Sequence, residues 1–301
     1  MAEQGLPLAR PLEPRIRRLA SGWTRRARAR PRGSGFLRTM PLALFVTLAL
    51  AGPLVVPASP TAQDLVHRLA PPVGLGGSWD HPLGTDGLGR DLLARIAAGA
   101  RSSLLVGVVA ALGAAAVGVV LGLVSGMLGG LVDRAVTVVV EVLMAVPFIT
   151  FGIVVTATLG QSLENLLALL IASGWITHAR IVRLQVRSLL RAEFVEAAVA
   201  MGATRAHVAW RHLVPHLVPV MVVVLCQQAG AMIIWSTSLT YLGIGLPVEE
   251  ITLGGIVRDG QELVYTAWWV SVCGGLAIAL AVAGFNLFAD WLQRRLDPRY
   301  R

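Results

Sequence analysis

The chain has 301 residues, of which 55% are hydrophobic and 14% charged, and it carries a formal net charge of +9. With a mean hydropathy of +0.69, this composition excludes an ordinary soluble domain and describes an integral membrane protein. The basic residues are all arginine and lie mostly beside apolar segments. They therefore orient spans, and no nucleic-acid partner is expected, because that would require a folded basic domain with groove-reading elements.

Residues 1–38 hold ten arginines against Glu3 and Glu13. This composition predicts a disordered or headgroup-associated basic tail on the cytoplasmic side, in contact with membrane lipid. A first apolar span is expected at 39–57, interrupted by Pro41 and Pro53, and reads as an uncleaved helix rather than a secretory signal. Residues 58–100 then break the apolar pattern and form the longest loop. Within it, His81-Pro-Leu-Gly84-Thr85-Asp86-Gly-Leu-Gly89-Arg90-Asp91 has glycines suited to a tight turn. Asp86 can accept backbone donors there, and Arg90 with Asp91 can form a local ion pair. A turn-and-cap role accounts for these residues better than a metal site built from His81, Asp86 and Asp91, and no metal is expected.

Five further apolar runs of about 20 residues, the length that crosses a hydrocarbon core, are placed at 102–128, 135–158, 163–182, 217–242 and 267–290. The expected fold is thus an all-α membrane protein with six transmembrane helices over 39–301. Small residues three or four apart in the second span, among them Gly118, Gly122 and Gly126, predict a close helix neighbour. Past the fourth span, Arg180, Arg183, Arg187 and Arg191 share one helical face. The helix is expected to continue beyond the membrane, its stripe meeting lipid phosphates in preference to an acidic partner. Arginine bias places both termini and loop 183–216 in the cytoplasm, and the 58–100 and 243–266 loops outside. Inside the spans, Glu141, ahead of Pro147, is costly in lipid and is a candidate path-lining group. Gln227, Gln228, Ser236 and Asn286 are further candidates, although helix-to-helix hydrogen bonds are the commoner fate of such residues. Cys226 and Cys273 fall in apolar segments and read as buried thiols.

The polar island from Glu193 to Pro219 interrupts this series. Phe194, Ala197, Ala198 and Met201 recur at i, i+3, i+4 and i+7, one apolar face of a short helix. Gly202 sits where a helix ends and a left-handed residue is cheapest, and Thr204 can cap a second short helix through Ala209 to His212. Pro215 and Pro219 mark the start of the next span. Two short helices tethered to spans at both ends cannot bury their own small apolar face, so docking on another protein is expected.

Glu196-Ala197-Ala198, Gly202 and Leu213-Val214-Pro215 resemble the EAA loop of ATP-driven importers. The run from His81 to Asp91 is similar to an HxLGTDxxGRD signature, Ser238 to Gly245 to SLSFLGLG, and Phe285 to Pro298 to an AFNLxGDxLRDxLDP ending. On these motifs, residues 76–301 resemble the permease subunits of ABC importers of the dipeptide, oligopeptide and nickel branch, with the type I importer fold. The resemblance implies a pair of permeases, the second a different homologous chain, above two cytoplasmic ATPases in a prokaryotic plasma membrane. An extracytoplasmic solute-binding protein delivers the ligand, and the EAA loop docks on the ATPase. The chain has no G-x-x-x-x-G-K-[ST] run, so it is expected not to be an enzyme and to bind no cofactor, ATP and Mg²⁺ residing on the partner subunits. Short peptides are the expected cargo, with nickel or a metal chelate as the alternative. Ser236 stands where peptide-type members carry a glutamate, and Ile251-Thr-Leu-Gly254 replaces a Pro-x-Trp-Gly, departures that bear on substrate. A secondary transporter, which would use intramembrane ionisable pairs and inverted repeats, is the remote alternative.

Overall fold

The computed structural model describes residues 35–296. The expectations for the basic tail over residues 1–34, and for the chain end at 297–301, lie outside them. The chain divides into one unit ending at Leu37 and a second from Arg38 to Arg301, and the bundle described below is the second. In chain order the helices are α1 (Gly35–Val55), α2 (Leu92–Leu128), α3 (Gly130–Ala145), α4 (Phe148–Leu159), α5 (Leu163–Leu189), α6 (Glu193–Ala200), α7 (Arg205–Val208), α8 (Val214–Tyr241), α9 (Leu253–Gln261) and α10 (Trp269–Leu296). The described residues contain an isolated Thr85–Asp91 bridge and no β-strand.

Five stretches are long and apolar enough to cross a membrane: α1, α2, α5, the run Arg205–Tyr241, and α10. The sixth expected span, 135–158, is not one helix but α3 and α4, which meet at 86°. The cause lies in Val146-Pro147. Proline offers no N–H to the preceding turn and drives the residue before it into extended backbone, and Val146 has φ −92 and ψ 121.

The close neighbour expected for α2 is α5. A Cβ on Gly122 would lie 2.6 Å from the carbonyl oxygen of Ala179, and one on Gly126 would lie 2.8 Å from the Cβ of Val186. Backbones approach at these positions because no side chain intervenes, so dispersion contacts accumulate along the whole seam. Ile233 and Met232 of α8 close the third side of the main core with Ala110, Ala114 and Leu170. A second cluster, Val182, Val186, Val195, Val208, Leu213 and Leu217, fills one end of the bundle. The loop before α2 and the short helix α9 occupy the other end.

Candidate functional site

The two-helix element at residues 193–213 departs from its expected form in two ways. First, of the expected stripe of Phe194, Ala197, Ala198 and Met201, α6 buries only Ala198, together with Val195. Val195 packs with Val208 and Leu213 on Val182 and Val186 of α5. One apolar face is therefore satisfied within the chain, and Ala198 faces inward. Second, α7 does not end at His212 as a separate helix. It passes through a single wide turn, Ala209–Leu213, straight into α8. Such π-bulges re-aim a helix without breaking it, and Pro215 sits exposed in the first turn of α8 as the sequence suggested.

Between α6 and α7 the chain turns at Gly202, with φ +88. The amide of Ala203 donates to the Ala198 carbonyl at 3.0 Å and that of Gly202 to Val199 at 2.9 Å, the paired bonds of a Schellman ending. Thr204 then accepts the amide of His207 at 3.3 Å and caps α7. What this hinge leaves outward is an apolar ridge. Met201 is 83% exposed, Trp210 73% and Val199 55%, and Glu196 and Ala197 lie exposed on the same short helix. Phe194 is anchored at the ridge's edge, its ring stacked on His216 with centroids 5.1 Å apart.

The element is fixed to the bundle through α5, where the arginine stripe finds an acid that the sequence reading missed. Asp133, in the first turn of α3, accepts from Ser125 at 2.7 Å, from an amino group of Arg183 at 2.8 Å and from Arg187 at 2.5 Å, with the Arg183 Nε in ion-pair contact at 2.5 Å. Arg183 and Arg187 are thus committed to an intrachain clamp joining α2, α3 and α5 rather than to lipid phosphate. Arg180, one turn earlier, meets the sulfur of Met144 at 3.4 Å. Because the clamp is partly open to solvent, Asp133→Asn should lower stability by about 1–2 kcal/mol, below the cost of breaking a fully buried pair. The thermal midpoint of the solubilised protein measures this, and Ser125→Ala should cost less.

At the opposite end, the 81–91 motif is a staple. Asp86 accepts the backbone amides of Leu88 and Arg90 at 2.9 and 3.0 Å, the Arg90 Nε at 2.6 Å and an Arg95 amino group at 2.5 Å. Both arginines also reach Asp259 of α9, at 3.3 and 3.0 Å. The expected Arg90–Asp91 pair is absent. Asp91 instead caps α2 by accepting the amide of Ala94 at 2.7 Å and meets the ring of His81 at 2.9 Å. Buried Thr85 bonds the carbonyl of His67 and the amide of Ala70, while its own carbonyl receives the indole of Trp269 at 3.3 Å. Gly84 and Gly89 take positive φ, and a Cβ on either would strike the backbone at Ala70 or Asp64. Asp259 and Trp269 are more than 160 residues away, and no local pattern reveals them.

The five path-lining candidates do not converge. Glu141 faces a 510 Å³ cavity between α3 and α5. Gln227 lines a different one, of 680 Å³, with Pro215 and Gln293. Gln228 is buried at the α5–α8 contact near Gly174. Ser236 spends its hydroxyl on the carbonyl of Ile233 at 3.1 Å, the ordinary fate of a buried helical serine. Asn286 is exposed on α10.

Comparison with known proteins bears on what such an arrangement belongs to. A family model described as "Binding-protein-dependent transport system inner membrane component" matches residues 118–301. The chain is 32% identical over 261 residues to the dipeptide transport system permease protein DppC of Bacillus subtilis, covering 86% of this chain and 80% of that one. It is similarly 32% identical over 261 residues to the oligopeptide transport system permease protein OppC of the same organism, covering 86% and 84%. The probable D,D-dipeptide transport system permease protein DdpC of Escherichia coli is 31% identical over 258 residues, covering 86% and 85%.

Proposed function

The chain belongs to the family of binding-protein-dependent transport system inner membrane components, and from that premise we propose that it forms half of the translocation path of an ATP-driven importer of short peptides. The observation that carries the coupling part of this reading is the exposed ridge of Met201, Trp210 and Val199, displayed on an element whose other face is bolted to the bundle. An apolar ridge of this kind on a rigid support suits a protein cleft. A cytoplasmic ATPase seated there would move α5 and α8 together, because Val195, Val208 and Leu213 pack with Val182 and Val186 of α5 and Leu217 of α8. ATP and Mg²⁺ would remain on the ATPases, with a second permease and a solute-binding protein completing the assembly.

Peptides are favoured over nickel because the relatives are named for dipeptide and oligopeptide transport. Deleting the gene should reduce uptake of labelled di- to hexapeptides at least severalfold and leave nickel uptake unchanged. Loss of nickel uptake with intact peptide uptake overturns the substrate assignment.

The proposed orientation puts the 193–213 element in the cytoplasm. In a background with Cys226 and Cys273 replaced by alanine, a cysteine at residue 250 should react with an impermeant maleimide added to intact cells, and one at residue 200 should not. The reverse pattern contradicts the orientation.

A further inference from the structure

The cavity beside Glu141 lies along the C-terminal half of α3, against α5, and ends at Ala145, just before the break between α3 and α4. Glu141 and Arg180 both line it, yet they are not within ion-pair distance of each other, and among the described residues neither meets an opposite charge. Arg180 contacts only the Met144 sulfur, whereas Arg183, on the same wall, is already held by Asp133. Glu141 stands eleven residues into the span, about 16 Å from Gly130 along the helix. An exposed carboxylate at that depth is costly against lipid, which favours a face bordered by protein or a polar path.

The backbone points the same way. Pro147 leaves the carbonyl of Leu143 without its helical donor, and irregular backbone at membrane depth is tolerated where it lines a cavity. The C-terminal carbonyls of α3 add negative potential on the Glu141 side. On the other side of Met144 lies a second cavity of 160 Å³, walled by Phe148, Phe151, Ile176 and Trp235. The rings of Phe148 and Trp235 meet at a tilt of 32° with their centroids 4.7 Å apart. A mainly apolar chamber carrying one unpaired charge of each sign thus adjoins an aromatic one, and its 510 Å³ falls within the range of small-ligand sites, about 300–1,000 Å³.

We propose that the α3–α4 break is a transit subsite for a zwitterionic peptide: the Glu141 carboxylate receives the ammonium, the Arg180 guanidinium receives the carboxylate, and the aromatic chamber takes one side chain. Charge-assisted bonds of this kind fix orientation, and the apolar wall adds affinity that does not depend on sequence detail. Opposite charges held apart are what a dipolar solute needs, whereas a bare cation would find Arg180 repelling it. This inference rests on the peptide reading above.

The test uses the whole purified transporter, without its solute-binding protein, and equilibrium dialysis of radiolabelled Ala-Phe, N-acetyl-Ala-Phe and Ala-Phe amide. Glu141→Gln should weaken Ala-Phe binding at least tenfold while leaving the acetylated peptide at its wild-type affinity, and Arg180→Gln should show the converse with the amide. If both variants bind all three peptides as wild type does, or lose all three equally, the subsite is wrong. Should either variant fail to assemble, Thr137→Cys on the cavity wall serves instead. Ala-Phe should protect it from a methanethiosulfonate reagent at least fivefold, and absence of protection overturns the proposal. Failure of the peptide reading is distinguishable, since wild-type transporter supplied with binding protein and ATP would then take up no labelled peptide into proteoliposomes.

Discussion

Gly202→Val is expected to leave the protein inserted at its normal level and to reduce transport at least tenfold, with ATPase retention weakened on purification. Gly202 has φ +88, and a Cβ there would meet nothing within 4 Å. The substitution therefore introduces no clash, and its whole effect is conformational. A β-branched residue forced into the left-handed region costs about 1–3 kcal/mol, and the chain relieves that strain by leaving the turn. The Schellman bonds from Ala203 and Gly202 then open, and Met201 and Trp210 no longer present one surface. Glu196→Gln removes one exposed charge and should fall between this variant and wild type. Gly202→Asn is the informative control, because asparagine visits left-handed backbone readily, and it should retain most activity. Transport measured in membranes at saturating peptide, with expression checked by immunoblot, decides the matter. Normal uptake and normal ATPase association in Gly202→Val would show that the hinge is not the coupling element.

Asp86→Asn should produce the largest loss of stability, about 3 kcal/mol, in the range for removing one partner of a buried ionic network. Burial opposes ionisation of Asp86, but the amides of Arg90 and Leu88 and the charge of Arg95 outweigh it. The carboxyl is held below the usual carboxylate range. A depressed folded-state pKa contributes stability that is fully present above the unfolded value of about 3.9 and is lost as pH falls through the folded one. The network is therefore at full strength at neutral pH, and acidification below about 4 should loosen this end first. Thermal midpoints of wild type and Asp86→Asn should differ most at pH 7 and converge toward the acid limit. A difference independent of pH would mean that shape rather than charge holds the staple.

The membrane class, the helix positions and the 193–219 island were legible because apolar run length, Gly202 and the prolines act locally. The buried face of α6 was not. Around so short a helix, with apolar groups on most sides, the stripe of Phe194, Ala197, Ala198 and Met201 is as good as one through Val195 and Ala198, and only the valines of α5 choose between them. Pro147 was visible, yet its consequence, a sharp bend at Val146 within one apolar run, depends on what the two half-helices pack against. Asp133 drew no reading of its own in the sequence, lying just ahead of the expected 135–158 span. The complementary spacing of Arg183 and Arg187 on one face was the available signal, because an arginine pair one turn apart is what a single bridging carboxylate requires. Asp259 gave no such signal, since its partners are joined to it only by the folded bundle.

The central claim is that transport through this chain is driven from outside it, by ATP hydrolysis transmitted through the 193–213 element. It is tested most directly in proteoliposomes containing this chain and its partner permease, supplied with binding protein and labelled peptide, with and without the ATPases. Uptake that requires both the ATPases and ATP, and that Gly202→Val abolishes, is the predicted result. Uptake by the permeases alone, driven by a proton or sodium gradient and unaffected by Gly202→Val, would contradict the account.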